Sequence, residues 1–147
     1  MVTLNNNLFF GEVERLLSDG EDVTIMVRGN SMRPLLRDGR DKVVVRCFCG
    51  ENIALGDVML FRYNGGYIMH RVVRIEGDRI VFAGDGNYKR WEIAARRDVV
   101  ARIVAVIRPS GRRVNFDSQR WRTLSTAWLV LPQIVRRVIL GVLRRIK

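Results

Sequence analysis

The stretch that decides the fold reads YIMHRVVRI at residues 67–75, EGD at 76–78 and RIVF at 79–82. Both long runs are rich in β-branched and aromatic residues, which favour strands. The Gly and Asp between them supply the backbone conformations that a tight turn needs. The stretch therefore predicts an antiparallel hairpin of strands 67–75 and 79–82.

Further β-rich runs flank this hairpin on both sides. They lie at residues 24–27, 42–45, 58–61 and 99–107. Turns rich in Gly, Asn and Asp separate them, and short strands at such spacing are typical of all-β domains. We therefore predict a mainly β fold of coiled antiparallel sheets, with the β domain spanning residues 20–116.

A helical segment is predicted at each end of this domain. Apolar residues recur at helical spacing between Leu8 and Ser18, which indicates a short amphipathic helix in an N-terminal segment, residues 1–19. From Leu124 onward apolar residues again recur at steps of three and four. We therefore expect a basic amphipathic C-terminal helix in residues 117–147, which Pro132 kinks or divides.

Length and composition limit the class of protein. The chain has 147 residues, which fits one domain with a substantial core. It is 48% hydrophobic and 28% charged, with three prolines, as expected of a folded globular chain. We therefore expect neither global disorder, nor a two-domain repressor, nor a large multidomain enzyme.

The positive charge is concentrated at the C-terminal end. The formal net charge of the chain is +11, and such a value first suggests nucleic acid or an acidic membrane as partner. Residues 108–147, however, hold ten basic residues against the single acid Asp117, whereas residues 1–107 are close to balanced. The basicity therefore belongs to a tail rather than to the β domain.

Two interpretations of the basic helix remain open at this stage. Its apolar stripe can pack on the β domain and leave the arginines solvated, or it can lie on an anionic membrane surface through residues 118–147. The apolar run is too short to cross a bilayer, because Arg136 and Arg137 interrupt it. Nucleic acid is not expected as a partner, since aromatic residues do not alternate with basic residues on a β face.

The cysteines and the N-terminal residues indicate the cellular compartment and whether a metal site is expected. Cys47 and Cys49 lie two residues apart, and with only one histidine in the chain they predict free thiols rather than a zinc or redox site. Residues 1–7 have neither the basic nor the apolar region of a secretory signal. We therefore expect no metal or other cofactor, and a location in the cytosol or on the cytosolic face of a membrane.

Three residues form a candidate catalytic set. Ser31 follows a predicted strand and precedes a Pro-containing turn, so its hydroxyl can project from a loop. The only histidine, His70, lies in strand 67–75, and neutral imidazole is the usual base for a serine hydroxyl. Asp85 lies on the turn after the hairpin's second strand, within plausible reach of His70. We expect Arg71 to face the other side of its strand and to pair with an acid.

The sequence resembles the serine peptidase superfamily that unites type I signal peptidases with self-cleaving SOS and phage repressors. The likeness covers roughly residues 24–107 and consists of five ordered segments: GNSMRPL (29–35), DGRDKVVV (38–45), GDVMLF (56–61), HRVV (70–73) and GDGN (84–87). The histidine in the fourth segment is similar to the endoplasmic-reticulum, archaeal and sporulation-type signal peptidases. This resemblance implies Ser31 as nucleophile, His70 as general base and acid, and Asp85 as the residue that orients the imidazole.

The resemblance also implies a function. The expected activity is that of a serine endopeptidase similar to signal peptidase, which cleaves a precursor or leader peptide with small P1 and P3 side chains. Gly29 occupies the position where signal peptidases often have an extra oxyanion donor, so backbone N–H groups must stabilise the oxyanion. The alternative is a catalytically idle β module that docks to a membrane or partner through its cationic tail.

Overall fold

A computed structural model describes residues 3–29, 31–50, 52–131 and 133–146. In this part of the chain, helices flank a run of strands, as expected. The helices are α1 (Thr3–Ser18), α2 (Gln119–Val130) and α3 (Gln133–Ile146), and a short 3-10 turn covers Arg96–Asp98. The strands are β1 (Val23–Met26), β2 (Lys42–Cys47), β3 (Val58–Tyr63), β4 (Gly66–Glu76), β5 (Arg79–Gly84), β6 (Asn87–Ala95), β7 (Val99–Ile107) and β8 (Arg113–Asn115).

The strands form one curled antiparallel half-barrel sheet, which confirms the predicted mainly β fold. Their order is β1-β2-β7-β3-β4-β5-β6, and β8 pairs with β7. The hairpin of β4 and β5 forms as predicted, with Ile75 opposite Ile80 and Glu76 opposite Arg79. Gly77 in its turn has a φ of 63°, a conformation that residues with a Cβ rarely adopt.

Each face of the sheet carries its own hydrophobic cluster, because successive side chains of a strand point to opposite faces. In β3, Val58 and Leu60 belong to one cluster, and Met59 and Phe61 to the other. The first cluster also contains residues of α1 and α2, whereas the second is closed by β5 and β6. The central strands therefore contribute to both cores.

Strand β6 is absent from the predicted strands. The charged residues in its sequence obscure the alternation of polar and apolar residues. Strand β6 lies at the edge of the sheet, where charged residues are common. Trp91 and Ile93 are exposed, whereas Glu92 and Ala94 between and beside them are buried. Strand β6 therefore places the Glu92 carboxylate inside the molecule.

The C-terminal segment forms two helices rather than one kinked helix. Helix α2 ends at Val130 and α3 begins at Gln133, while Pro132, the predicted breakpoint, lies outside the described residues. Trp121 and Trp128 of α2 are buried in the first cluster. Among the described residues no single helix is long and apolar enough to cross a membrane. Segments 119–130 and 134–143, bent by 115°, meet those criteria only together.

Helix α1 is longer than predicted, and a partly exposed polar contact holds it to the sheet. Val13 and Leu17 pack into the first cluster. Glu14 accepts hydrogen bonds from the Arg62 guanidinium, at 2.6 and 3.2 Å, and from the Tyr67 hydroxyl. Partial burial acts to raise the pKa of Glu14, but the hydrogen bonds from Arg62 and Tyr67 hold it below its ordinary value.

We predict that Glu14→Gln lowers the free energy of unfolding by about 1 kcal/mol at neutral pH. Because the pKa of Glu14 is lowered on folding, its stabilising effect is present above the ordinary glutamate value and is lost as the pH falls through the folded value. Urea unfolding of both proteins should show their difference shrinking on acidification. Glu12→Gln is the control, because it removes an exposed ion pair with Arg15 of the same helix, which contributes little to stability. A difference that is independent of pH would contradict the assignment.

Candidate functional site

Ser31 lies in the loop that joins β1 to β2, and two aspartates hold this loop in shape. Asp38 accepts a hydrogen bond from the Gly29 N–H at 2.8 Å. The buried Asp41 accepts from the Arg37 N–H at 2.9 Å and from the Arg108 guanidinium at 2.8 Å. The segment DGRD at 38–41 therefore fixes the backbone on both sides of the serine.

His70 is buried in β4 and is oriented by a carboxylate of β6. Its Nδ1 lies 2.5 Å from Oε1 of Glu92, and both side chains are less than a tenth exposed. A carboxylate at this nitrogen selects the tautomer in which Nδ1 carries the proton. Nε2 is then left unprotonated in the neutral ring and can accept a proton.

The serine loop and the imidazole meet at Gly84, the last residue of β5. A Cβ placed on Gly84 would lie 2.3 Å from the Ser31 carbonyl oxygen and 2.9 Å from Nε2 of His70. The Gly86 N–H also donates a hydrogen bond of 2.7 Å to the same carbonyl oxygen. The structure therefore brings Ser31 and His70 together, and the glycine makes the space for both.

Asp85 has a different partner from the one predicted. Both of its carboxylate oxygens accept hydrogen bonds from the Arg71 guanidinium, at 2.7 and 2.8 Å. The expectation that Asp85 contacts and orients the imidazole is therefore corrected: Glu92 is the acid beside His70. The expectation that Arg71 pairs with an acid on the other side of its strand is confirmed.

Helix α2 covers this buried ion pair. The ring of Trp121 lies 5.9 Å from the Arg71 guanidinium carbon, and Nε1 of Trp128 donates a 3.0 Å hydrogen bond to the Asp85 carbonyl. Ser118 caps the helix by accepting from the Trp121 N–H at 3.2 Å. Residues of the predicted C-terminal segment therefore support the turn that carries Gly84 and Gly86.

A cavity of about 870 Å³ opens beside the serine and the histidine. Ser31, His70 and Glu92 line it together with residues of α1, β1, β3 and β4. Its walls are largely apolar and aromatic; they include Phe9, Phe10, Ile25, Val27, Met32, Leu60, Tyr63, Tyr67 and Met69. A concave apolar site with a few convergent polar groups is the usual form of a binding site.

Glu92 is the site residue that sequence analysis missed. Its position follows from strand β6, where Glu92 lies opposite Phe82 of β5. The alternation of Trp91, Glu92 and Ile93 indicates a strand, but it predicts the apolar residues inside and the acid outside, the reverse of their burial in the structure.

Metal-ligating side chains are not clustered in the described ranges. No group of three or more His, Cys, Asp or Glu side chains suited to a metal ion occurs there. The Sγ atoms of Cys47 and Cys49 lie 3.3 Å apart. They do not contribute to the cavity beside Ser31.

Most of the chain matches a known protein family. Residues 3–107 match the family model described as Peptidase S24-like. The matched region begins in α1 and ends with β7, so it contains Ser31, His70, Asp85 and Glu92. No curated protein matches the chain.

We predict that Gly84→Ala lowers the free energy of unfolding by about 1–3 kcal/mol, because the added methyl group meets the backbone oxygen of Ser31. Equilibrium urea unfolding measures this change. Gly11→Ala in α1 is the matched control: its Cβ has nothing within 4 Å, and the substitution should leave stability unchanged or raise it. Equal stability of the Gly84 variant and the parent would show that the loop and the imidazole do not meet there.

Proposed function

Because the chain belongs to the Peptidase S24-like family of serine peptidases, we propose that it is a serine endopeptidase similar to signal peptidase. Its substrate would be a precursor or leader peptide. Ser31 would be the nucleophile and His70 the general base and acid. Glu92, in place of Asp85, would orient the imidazole.

One observation carries this proposal more than any other. Nε2 of His70 and the backbone of Ser31 converge on Gly84, while Nδ1 of the same ring is held by the buried Glu92. A nucleophile near a base that a third group orients is the general arrangement of nucleophilic catalysis. In the described residues the Ser31 hydroxyl and Nε2 do not share a hydrogen bond; such contacts commonly tighten only when substrate binds.

Acylation would begin with attack of Ser31 Oγ on the scissile carbonyl carbon. As the new C–O bond forms, Nε2 of His70 takes the hydroxyl proton, and Glu92 stabilises the resulting imidazolium through Nδ1–H. His70 then gives that proton to the leaving amine as the C–N bond breaks. The products of this half-reaction are the released C-terminal peptide and an ester on Ser31.

Deacylation would use the same groups with water as the nucleophile. His70 takes a proton from water, the hydroxyl oxygen bonds to the ester carbon, and the C–O bond to Ser31 breaks. The proton returns to Ser31 Oγ. Since Gly29 provides no side chain, the oxyanion in both steps would be stabilised by backbone N–H groups at Ser31 and its neighbour.

The cavity supports an extended peptide as substrate. Among the described strands, β1 lies at one edge of the sheet next to β2, and its residues Thr24–Met26 line the cavity together with Val27. An unpaired strand edge can accept a further strand through main-chain hydrogen bonds, and pockets at alternate positions then select side chains. The apolar walls fit small, uncharged side chains next to the cleaved bond.

A catalytically idle module remains the second candidate, favoured by the helical segment that follows the matched region. In that case the cavity would hold a peptide without cutting it. Covalent labelling separates the two candidates. A fluorophosphonate should add its mass to Ser31 of an active enzyme, and absence of both labelling and cleavage in the folded protein would favour the idle module.

We predict that Ser31→Ala and His70→Ala each lower peptide cleavage by at least about 10³-fold. The assay incubates the full chain with a library of synthetic peptides and follows new termini by mass spectrometry. Ser110→Ala is the matched control, because Ser110 lies in the exposed turn between β7 and β8. Undiminished cleavage by either of the first two variants would remove the catalytic assignment.

We predict that Glu92→Gln lowers the cleavage rate, whereas Asp85→Asn lowers the stability of the fold. Loss of the Glu92 charge should lower the cleavage rate by about 10²–10⁴-fold, since the imidazolium is no longer stabilised. Asp85→Asn should instead destabilise the fold by about 3–5 kcal/mol, because it leaves the buried Arg71 without its counter-charge. Cleavage rates and urea unfolding of both variants check this. A fully active Glu92 variant would contradict the orienting role of Glu92.

A further inference from the structure

Helix α3 presents an apolar face to solvent. Ile134 is 69% exposed, Val138 63% and Val142 50%. These residues are spaced by four, so they form one stripe along the helix. The stripe is unusual for a solvated helix, whose outward face normally carries polar side chains.

The opposite face of α3 is already occupied by the domain. Ile139 and Leu140 are partly buried and pack against the first hydrophobic cluster. Arg136 donates a 3.0 Å hydrogen bond to the Leu131 carbonyl and a further one to the Leu129 carbonyl at the end of α2. Helix α3 is thus attached to the domain by one face, and the stripe of Ile134, Val138 and Val142 faces away from it.

Positive charge accompanies the stripe. Arg137 and Arg145 are exposed on the same helix, and the sequence from residue 118 to 147 contains no acid. Arg is weakly hydrated and binds phosphate groups through two hydrogen bonds. An apolar stripe beside arginines, on a segment whose sequence contains no acid, is complementary to the headgroup region of an anionic bilayer.

We propose that the outward face of α3 is a docking surface for an anionic phospholipid bilayer. Ile134, Val138 and Val142 would enter the boundary between headgroups and acyl chains, and Arg137 and Arg145 would bind lipid phosphates. The helix would lie in the plane of the surface. This proposal is independent of peptidase activity, because none of these residues lines the cavity beside Ser31.

Docking through α3 would also restrain the rest of the domain. Helix α2 connects α3 to the site, since Trp128 donates to the Asp85 carbonyl and Asp85 precedes Gly86, the donor to the Ser31 carbonyl. A bilayer-bound α3 would therefore hold the domain, and not only a flexible tail, at the membrane surface.

The test is flotation of the full chain with phosphatidylglycerol-containing vesicles and with pure phosphatidylcholine vesicles. Val138→Asp should lower the fraction bound to anionic vesicles by about tenfold, since it puts a charge into the apolar stripe. Ile93→Asp is the matched control: it makes the same charge change at a similarly exposed apolar residue of β6 and should bind as the parent does. Circular dichroism checks that both variants fold.

The flotation results distinguish a membrane-docking surface from its alternatives. Binding to anionic vesicles that weakens at high salt and in the Val138 variant supports the docking surface. Equal flotation of the parent and the Val138 variant, or equal loss in both variants, would overturn it. Retention of the parent on duplex DNA but not on vesicles would assign the face to nucleic acid and would also overturn it.

Discussion

The buried ion pair of Arg71 and Asp85 is the interaction on which the arrangement of the site depends. It lies at the junction of β4, the turn after β5 and helix α2, and Arg71 also donates a 2.9 Å hydrogen bond to the Gly56 carbonyl. Two charges taken out of water are stable only when their geometry is good and their remaining hydrogen bonds are satisfied. This pair meets that condition, so the turn has one well-defined position.

The position of that turn determines the chemistry on the other face of the sheet. Gly86 in the turn holds the Ser31 carbonyl, and Gly84 beside it leaves room for the imidazole. Because side chains alternate along β4, Arg71 points to the ion pair while its neighbour His70 points to Glu92. Adjacent residues of one strand thus separate a structural role from a proposed catalytic one.

The sequence was informative where a pattern is local and less informative where the contact is long-range. The hairpin of β4 and β5, strand β7 and the serine loop follow from β-branched runs and turn residues that are adjacent in the chain. The contact between His70 and Glu92 cannot be predicted in this way, because the pairing of β6 with β5 brings Glu92 to the imidazole. Asp85 is closer to His70 along the sequence than Glu92 is, but in the structure Glu92 contacts the imidazole and Asp85 contacts Arg71.

In the C-terminal segment, too, long-range contacts decide what the sequence pattern alone does not. Helical spacing predicted an amphipathic region, but not that Trp121 and Trp128 would be used by the core while Val138 and Val142 stay outside. Which apolar residue is buried depends on the surface that the sheet offers, and that surface is built from distant segments. Of the net charge of +11, the ten basic residues and one acid of residues 108–147 contribute +9, whereas residues 1–107 are closely balanced.

The most direct test of the central claim is the protonation of the imidazole. His70 is the only histidine, so a long-range ¹H–¹⁵N spectrum of the uniformly labelled chain contains a single imidazole to assign. With the ring neutral, the arrangement predicts a proton on Nδ1, shared with Glu92, and an unprotonated Nε2 free to act as base. A neutral ring that carries its proton on Nε2 would contradict the proposed role of Glu92 and, with it, the proposed mechanism.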